Sequence, residues 1–499
     1  MNHAIVNRHP AALKVFFATE MWERYGFYVV QALLALYMAK YYNWSDQNIY
    51  ALVGSFTALA YLSPILGGWI ADKLLGQKKS ILIGATILCI NYIILTLIHS
   101  KHGLLFALSG ITVGTGLLKP NISSLLGNQY PPKSPHKEAG FTLFYMGITT
   151  GIIFGTTIPS KLNQLFEWSI PFGSAALGLI IAFSIFSIGI KRYAIQDYYQ
   201  IKFSFKKAAA AALPIGMLWY IAYMILVYPY CANIAFLSVI CGVIGYLTYT
   251  IKHEEPMQAK QTIVIALLCL ISVMFWAFYF QMFMSLTLFL SRVVRPTVMG
   301  LQFPPPYYVA IQSIGMLIFG YYLSRESTNI NKFLAKESFN TSNKFLLAMF
   351  FMCAAYILIT IVIIFNHDDQ LLSPWYFIPA YLLISIAELL LSPVGLSAIT
   401  TLAAKRKVST MMGIFFISLG MGSFLSGKLA AITAIKNNFF TIQELKVHYA
   451  SSFSLLLCIL LVATLIAVIT NIAMRRLLST CKKTYDSTRI YETHVTSPR

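Results

Sequence analysis

Long apolar runs alternate along this chain with short polar stretches that hold most of its charge. A helix needs about 20 residues to cross the hydrocarbon core of a bilayer. On that measure the pattern predicts fourteen membrane-spanning helices, at about 12–40, 48–73, 79–99, 103–127, 139–163, 170–190, 207–228, 231–251, 262–290, 304–324, 343–366, 374–402, 409–435 and 448–474. The longest of them exceed the core thickness and are expected to tilt or protrude.

Composition agrees with a polytopic membrane protein. The chain is 58% hydrophobic and 11% charged, where a soluble domain would carry roughly 25% charged residues. The first apolar run follows a short polar tail without a small-residue cleavage site, so it reads as a retained span and not a signal peptide. A net charge of +20 could suggest a nucleic-acid partner. Its placement argues for something else. Basic clusters fall at Lys73/Lys78/Lys79, Lys133/Lys137, Lys191 to Lys207, Lys252/Lys260, Arg325 to Lys344 and Lys405/Arg406/Lys407. All lie on the side of the two tails once the spans are drawn. This is the positive-inside asymmetry, and it predicts cytoplasmic termini. No nucleic-acid, metal or cofactor site is expected. The cysteines fall mostly in apolar runs without CxxC spacing, which suits packing better than disulfides or metal.

Charge spacing also organises the chain. The loop 191–206 ends six spans, and the loop 252–261 precedes six more. Between them, 207–251 carries no charge beyond its ends and reads as an inserted hairpin. The expected organisation is an N-terminal six-helix bundle at 1–200, an inserted pair at 201–255, a C-terminal six-helix bundle at 256–476 and a cytoplasmic tail at 477–499. Two pseudo-equivalent bundles around a central cavity are common in transporters.

The candidate chemistry lies in the few charges at membrane depth. Glu20, Glu23 and Arg24 share one side of the first helix through their i, i+3 and i+4 spacing. Charge inside a membrane is costly, so it is expected to be paired and to face a protein or water-filled interior. Lys119, in the fourth span, lies roughly 12 Å from the cytoplasmic end, as does Glu20, at 1.5 Å per residue. A Glu20 or Glu23 pair with Lys119 is therefore allowed, with snorkelling of the lysine as the alternative. Glu388 sits about 21 Å from either end of the tenth span (not counting the inserted pair) by the same rise. It is too deep to snorkel, and it should bind a cationic group, carry a proton or make a structural hydrogen bond. Lys428, near the outer end of its span, is placed to snorkel. All nine histidines fall in loops, tails or span ends, so any buried protonatable group is expected to be a carboxylate.

These residues resemble the proton-coupled oligopeptide transporter family, a branch of the major facilitator superfamily. Phe17-Ala-Thr-Glu20-Met-Trp-Glu23-Arg24 is similar to the family's ExxER first helix. Tyr61-Leu-Ser-Pro64 with Gly67-Gly68-Trp69-Ile70-Ala71-Asp72-Lys73 resembles its second helix and loop, where Asp72 could cap the turn and pair with the basic cluster. Gly116-Leu-Leu-Lys119-Pro120-Asn121, Phe144-Tyr145-Met-Gly147, Phe275-Trp276-Ala277 with Gln281, and Glu388-Leu-Leu-Leu-Ser392-Pro393 resemble the fourth, fifth, seventh and tenth. The hairpin resembles the extra pair of the prokaryotic members. The resemblance implies an all-α major facilitator fold of fourteen helices. It also implies a function: proton-driven import of di- and tripeptides across a bacterial inner membrane, by a protein that works as a monomer. Proton coupling then falls on Glu20, Glu23, Arg24 and Lys119. Peptide contacts fall on Arg24, Tyr28, Tyr61, Lys119, Thr149, Gln281, Glu388 and Ser392, with Glu388 facing the peptide amino terminus.

The chain departs from the family at five positions. Gln31 and Phe280 stand where a base and an acid commonly pair as an outer gate, leaving that gate apolar or polar-neutral. Thr149 and Gly315 replace amides near the peptide amino end, and Phe415 replaces a common Trp. These departures motivate a second reading, a family member specialised on a non-peptide anion or zwitterion. A drug efflux facilitator is a third, disfavoured because a lipophilic cavity needs neither Lys119 nor Glu388. No nucleophile motif, metal spacing or phosphate loop supports an enzyme.

Overall fold

The computed structural model describes residues 9–131, 136–197, 204–324, 341–366, 368–404, 406–435 and 441–495. Lys133, Lys405 and residues 325–340 of the predicted basic loops lie outside the described residues. The helices are α1 Leu13–Lys40, α2 Asp46–Ile70, α3 Gln77–Leu97, α4 Lys101–Gly127, α5 Lys137–Leu165, α6 Ser169–Arg192, α7 Phe205–Val227 and α8 Pro229–His253. They continue with α9 Pro256–Tyr279, α10 Ser285–Val293, α11 Pro306–Ser324, α12 Thr341–Ile364, α13 Ile378–Leu402, α14 Val408–Ala430 and α15 Ile442–Val495. A two-stranded hairpin, Thr297–Val298 with Leu301–Gln302, caps one end.

Each predicted span has its helix, with two differences. The span expected at 262–290 is broken: α9 ends in a 3₁₀ turn at Phe280–Phe283, and α10 starts afresh. Met284, at φ −127° and ψ −100°, is not helical. Side chains take up the backbone groups this frees, as a membrane interior requires. Gln281 Nε2 donates to the Ala277 carbonyl and Thr287 Oγ1 to that of Met282. The second difference is at the C-terminus, where the last helix runs on to Val495 through most of the expected tail. Among the described residues, twelve helices are long and apolar enough to cross a membrane by composition. The 28-residue α1 is not among them because Glu20, Glu23, Arg24 and its terminal lysines dilute it.

In the first half α1 lies on α5 and α6, α2 on α4, and α3 on α4 and α6. In the second half α9 lies on α14 and α15, α12 on α13 and α15, and α11 on α13. The halves meet mainly along α2–α14 and α5–α11. In α7–α8, α7 rests on α4 and α2, and α8 on α9. The six cysteines whose side chains are described are all free. Asp72 is exposed and does not hold its loop. Asp197, beyond α6, does so by accepting from the Lys78 amide at 2.8 Å.

The end of the bundle remote from the termini is closed. Gly54 and Gly427 let the α2 and α14 backbones touch, since a Cβ on Gly54 would come 3.0 Å from the Gly427 Cα. Beyond them Arg292 at the end of α10 donates two hydrogen bonds of 2.7 Å to Asp46 at the start of α2. Tyr449 accepts from Arg292 at 2.9 Å, and the Ile435 amide donates to Asp46 at 3.0 Å. The outer closure is therefore not charge-free, as positions 31 and 280 led us to expect. It carries an ion pair between the halves, nearer the surface. Asp46 is 3% exposed, so removing either partner strands a charge. Asp46→Asn and Arg292→Gln are each expected to lower the melting temperature in detergent. The double variant should be no worse than the poorer single, a coupling of about 1 kcal/mol or more. Additive losses in the cycle would show that the pair does not hold the closure.

Candidate functional site

The charges of α1 are buried by α5. Gly147, Gly151 and Gly155 recur every fourth residue along α5 and lie against the α1 backbone. A Cβ at Gly147 would come 2.9 Å from the Phe17 carbonyl, at Gly151 2.8 Å from the Arg24 Cβ, and at Gly155 2.6 Å from the Tyr25 carbonyl. Larger side chains here would lift α5 off α1 and let water reach the ExxER turn. Glu20, Glu23 and Arg24 are 1%, 0% and 3% exposed.

Within this turn the guanidinium of Arg24 chooses its neighbour. Its Nη2 donates to Glu23 Oε1 at 2.5 Å, and its Nε to Glu23 Oε2, a two-pronged contact. Glu20 is served less well: Arg24 Nε lies 3.6 Å from its Oε1, and among the described residues its buried Oε2 has no donor. Arg24 also rests over the Phe27 ring, 5.0 Å from its centroid.

Lys119 does not pair with Glu20 or Glu23. The geometry allowed that pair, but Arg24 is on the same helix and reaches both acids first. The ammonium stands instead over the Tyr61 ring, 4.7 Å from the centroid, a cation–π contact. It remains within the electrostatic reach of Glu20, Glu23 and Arg24. Among the described residues, Lys119 is thus the cation of this cluster with no acid in direct contact.

The opposite pole is built on α13. Glu388, 8% exposed, accepts from Gln312 Nε2 of α11 at 2.7 Å, and the Tyr279 hydroxyl of α9 faces the same carboxylate. Gln312 is fixed in turn, since Ser385 Oγ donates to its backbone carbonyl at 2.7 Å. Gly315, one turn on, explains the loss of an amide there. A Cβ at 315 would come 2.5 Å from Ser385 Oγ, so α11 lies too close to α13 for a side chain. Gln312 supplies an amide from the adjacent turn.

Between the poles stand phenols. Tyr28 and Tyr61 each sense both Arg24 and Glu388, and Tyr145 senses Glu388 and Tyr61. Tyr61 touches Phe280 across the halves, with ring centroids 5.7 Å apart. Helices α4 and α13, which carry Lys119 and Glu388, pack no face on each other among the described residues.

The remaining expected site residues are engaged elsewhere or lie aside. Gln281 is fully buried, donating to the Ser426 carbonyl at 2.9 Å and accepting from Ser285. Thr149 donates to the Tyr145 carbonyl of its own helix at 3.2 Å. Ser392 is half-buried on α13, one turn beyond Glu388. Gln31 exchanges a hydrogen bond of 3.0 Å with Thr57, one turn from Tyr61 on α2. Residues 31 and 280 therefore meet adjacent turns of one helix. Sequence reasoning missed Gln312, Tyr279, Asp46 and Arg292. An isolated acid opening one span and an isolated base closing another were the signal for the last two.

The POT family model, PTR2, matches residues 78–447. The chain is similar to dipeptide and tripeptide permease B of Xenorhabdus bovienii, 28% identical over 441 residues, covering 85% of this chain and 87% of that protein. It is also similar to dipeptide and tripeptide permease A of Yersinia pestis, 29% identical over 441 residues, with 87% and 86% covered. Among solved structures, one described for substrate recognition in proton dependent oligopeptide transporters superposes with a TM-score of 0.79 at 25% identity, over 93% of this chain and 99% of that one. Tetrameric PepTSo2 superposes with a TM-score of 0.81 at 25% identity, over 93% and 98%.

Proposed function

We propose that this chain, which belongs to the POT family, imports di- and tripeptides together with protons by alternating access. Relatives named as dipeptide and tripeptide permeases support the substrate class. One observation carries the reading at residue level. Two poles of opposite charge, Lys119 with Arg24 in one half and Glu388 in the other, stand within electrostatic range of the same tyrosines, Tyr28, Tyr61 and Tyr145. A short peptide is a zwitterion of matching polarity. Its carboxylate meets Lys119, the cation free of a direct acid partner, and its ammonium meets Glu388. Residues 1–200 and 256–476 act as the two rocking halves, with 201–255 inserted and 477–499 as a cytoplasmic extension. One chain contains both poles, so a single copy suffices. The basic loops support cytoplasmic termini, and relatives named as bacterial permeases support an inner-membrane location.

We assign the coupled proton to Glu20. Glu23 has both oxygens on Arg24, whereas Glu20 Oε2 has no donor among the described residues. Protonating Glu20 removes one of the two negative charges beside Arg24, so the positive charge of Arg24 and Lys119 is less compensated and attracts the peptide carboxylate, while Arg24 stays on Glu23. Glu20→Gln is expected to abolish pH-driven accumulation while counterflow survives. Glu23→Gln should instead destabilise the protein, since it breaks the two-pronged contact. Equal loss of counterflow in both variants would remove the distinction.

The activity is tested by uptake of labelled dialanine into proteoliposomes with an alkaline interior. Accumulation is expected to collapse with a protonophore and to be competed by a tripeptide but not by free alanine. Accumulation unaffected by the protonophore would overturn the reading.

A further inference from the structure

A cavity of about 330 Å³ lies away from the charged poles, at the end of the bundle remote from the termini. It is the wedge left where the inserted pair α7–α8 leans on both halves. Aromatic contacts set the lean: Phe106 of α4 meets Trp219 of α7 at 5.1 Å, and Phe236 of α8 meets Phe424 of α14 at 4.2 Å between ring centroids. The His102 ring and the Tyr223 hydroxyl, 3.1 Å apart, tie α4 to α7 at the same end.

Two lysines enter this wedge from different halves, Lys101 at the start of α4 and Lys428 near the end of α14. Both are exposed, and neither has an acidic partner among the described residues. Each ammonium lies over a ring instead, Lys101 5.4 Å from the centroid of Trp44 and Lys428 5.5 Å from that of Phe424. No Asp or Glu lines the cavity, while Asn48 and Asn233 add amides to its wall. Its remaining wall is apolar, with Leu105, Ile225 and Leu226. Snorkelling alone explains one such lysine at a span end. It does not bring two, from opposite halves, into one acid-free cleft.

We propose that this cleft binds the phosphodiester headgroup of an anionic phospholipid. The two ammonium groups and the amides take the phosphate, and the apolar wall takes the glycerol and the first acyl carbons. Ammonium groups bind phosphate oxygens through charge-assisted hydrogen bonds. The apolar wall is why the ligand is a lipid and not a free anion. A bound lipid would bridge α4, α14 and the inserted pair, which gives that pair a role outside the transport path.

Native mass spectrometry of the full chain in detergent tests this, with phosphatidylglycerol and phosphatidylcholine as probes. Wild type is expected to retain phosphatidylglycerol over phosphatidylcholine, and millimolar inorganic phosphate should not displace it. The Lys101→Gln/Lys428→Gln double variant should bind phosphatidylglycerol about tenfold more weakly, while Lys101→Arg/Lys428→Arg keeps the preference. Melting temperatures, and dialanine counterflow in phosphatidylcholine vesicles, establish that the variants fold. Equal retention of the two lipids by wild type would overturn the proposal. So would undiminished phosphatidylglycerol binding by the glutamine variant, or full displacement by inorganic phosphate.

Discussion

Lys119→Ala is expected to abolish uptake driven by a pH gradient while peptide counterflow persists. Among the described residues the lysine makes no ion pair. It rests on Tyr61 within the field of Glu20, Glu23 and Arg24. Its charge therefore balances the cluster without locking it, and it is the cation a peptide carboxylate can reach without first breaking a salt bridge. Removing it leaves two carboxylates against one guanidinium, at a depth where uncompensated charge is costly. The acids then lose the balance that lets a proton come and go in step with substrate. A drop of at least a hundredfold in accumulation, with counterflow within about tenfold of wild type, is a separation of some 1.4 kcal/mol or more between the two assays. Concentrative uptake at the wild-type level would take Lys119 out of the mechanism.

Glu388→Gln is expected to act on recognition. The carboxylate accepts from Gln312 and faces the Tyr279 hydroxyl, so one hydrogen bond already holds it in place. It remains the acid of the pole opposite Lys119. A charge-assisted contact to a peptide ammonium is worth about 1.5–3 kcal/mol, or roughly ten- to 150-fold in affinity. Peptides with a free amino terminus should lose that much. N-acetylated analogues, which carry no ammonium, should lose little. Gln312→Leu should weaken free peptides to a smaller degree, because it releases the carboxylate without removing its charge. Equal losses for free and acetylated peptides would assign Glu388 to protonation or packing.

Much of this arrangement could be read from the chain because membranes make charge conspicuous. Fourteen runs of adequate length announced the membrane helices, and five deep charges, Glu20, Glu23, Arg24, Lys119 and Glu388, stood out against an apolar background. Spacing along one helix gave the shared face of the first three. It could not say which acid the arginine would take, because that depends on side-chain reach and on the glycine stripe of α5 pressing from behind. Likewise, depth placed Lys119 level with the acids, but the competition from Arg24 and the Tyr61 ring is a tertiary matter.

Polar, uncharged partners were the least legible. Gln312 and Tyr279 look like ordinary residues of apolar helices until α11 and α9 are brought against α13. The missing amide at Gly315 suggested a poorer site. In the structure α11 instead lies close against α13 at Gly315 and offers Gln312 from the adjacent turn. Gln281, chosen from its resemblance to a family motif, is spent on mending the helix break beside it. The outer ion pair was hidden for a different reason: Asp46 and Arg292 sit at span ends, where a charge is ordinary.

The measurement closest to the central claim is proton entry driven by peptide alone. Proteoliposomes loaded with a pH-sensitive dye, at equal pH and zero membrane potential, receive dialanine outside. The lumen is predicted to acidify on addition of the peptide, and to stay unchanged with N-acetyl-dialanine or in Glu20→Gln vesicles. Peptide entry without acidification of the lumen would contradict coupling of the two fluxes.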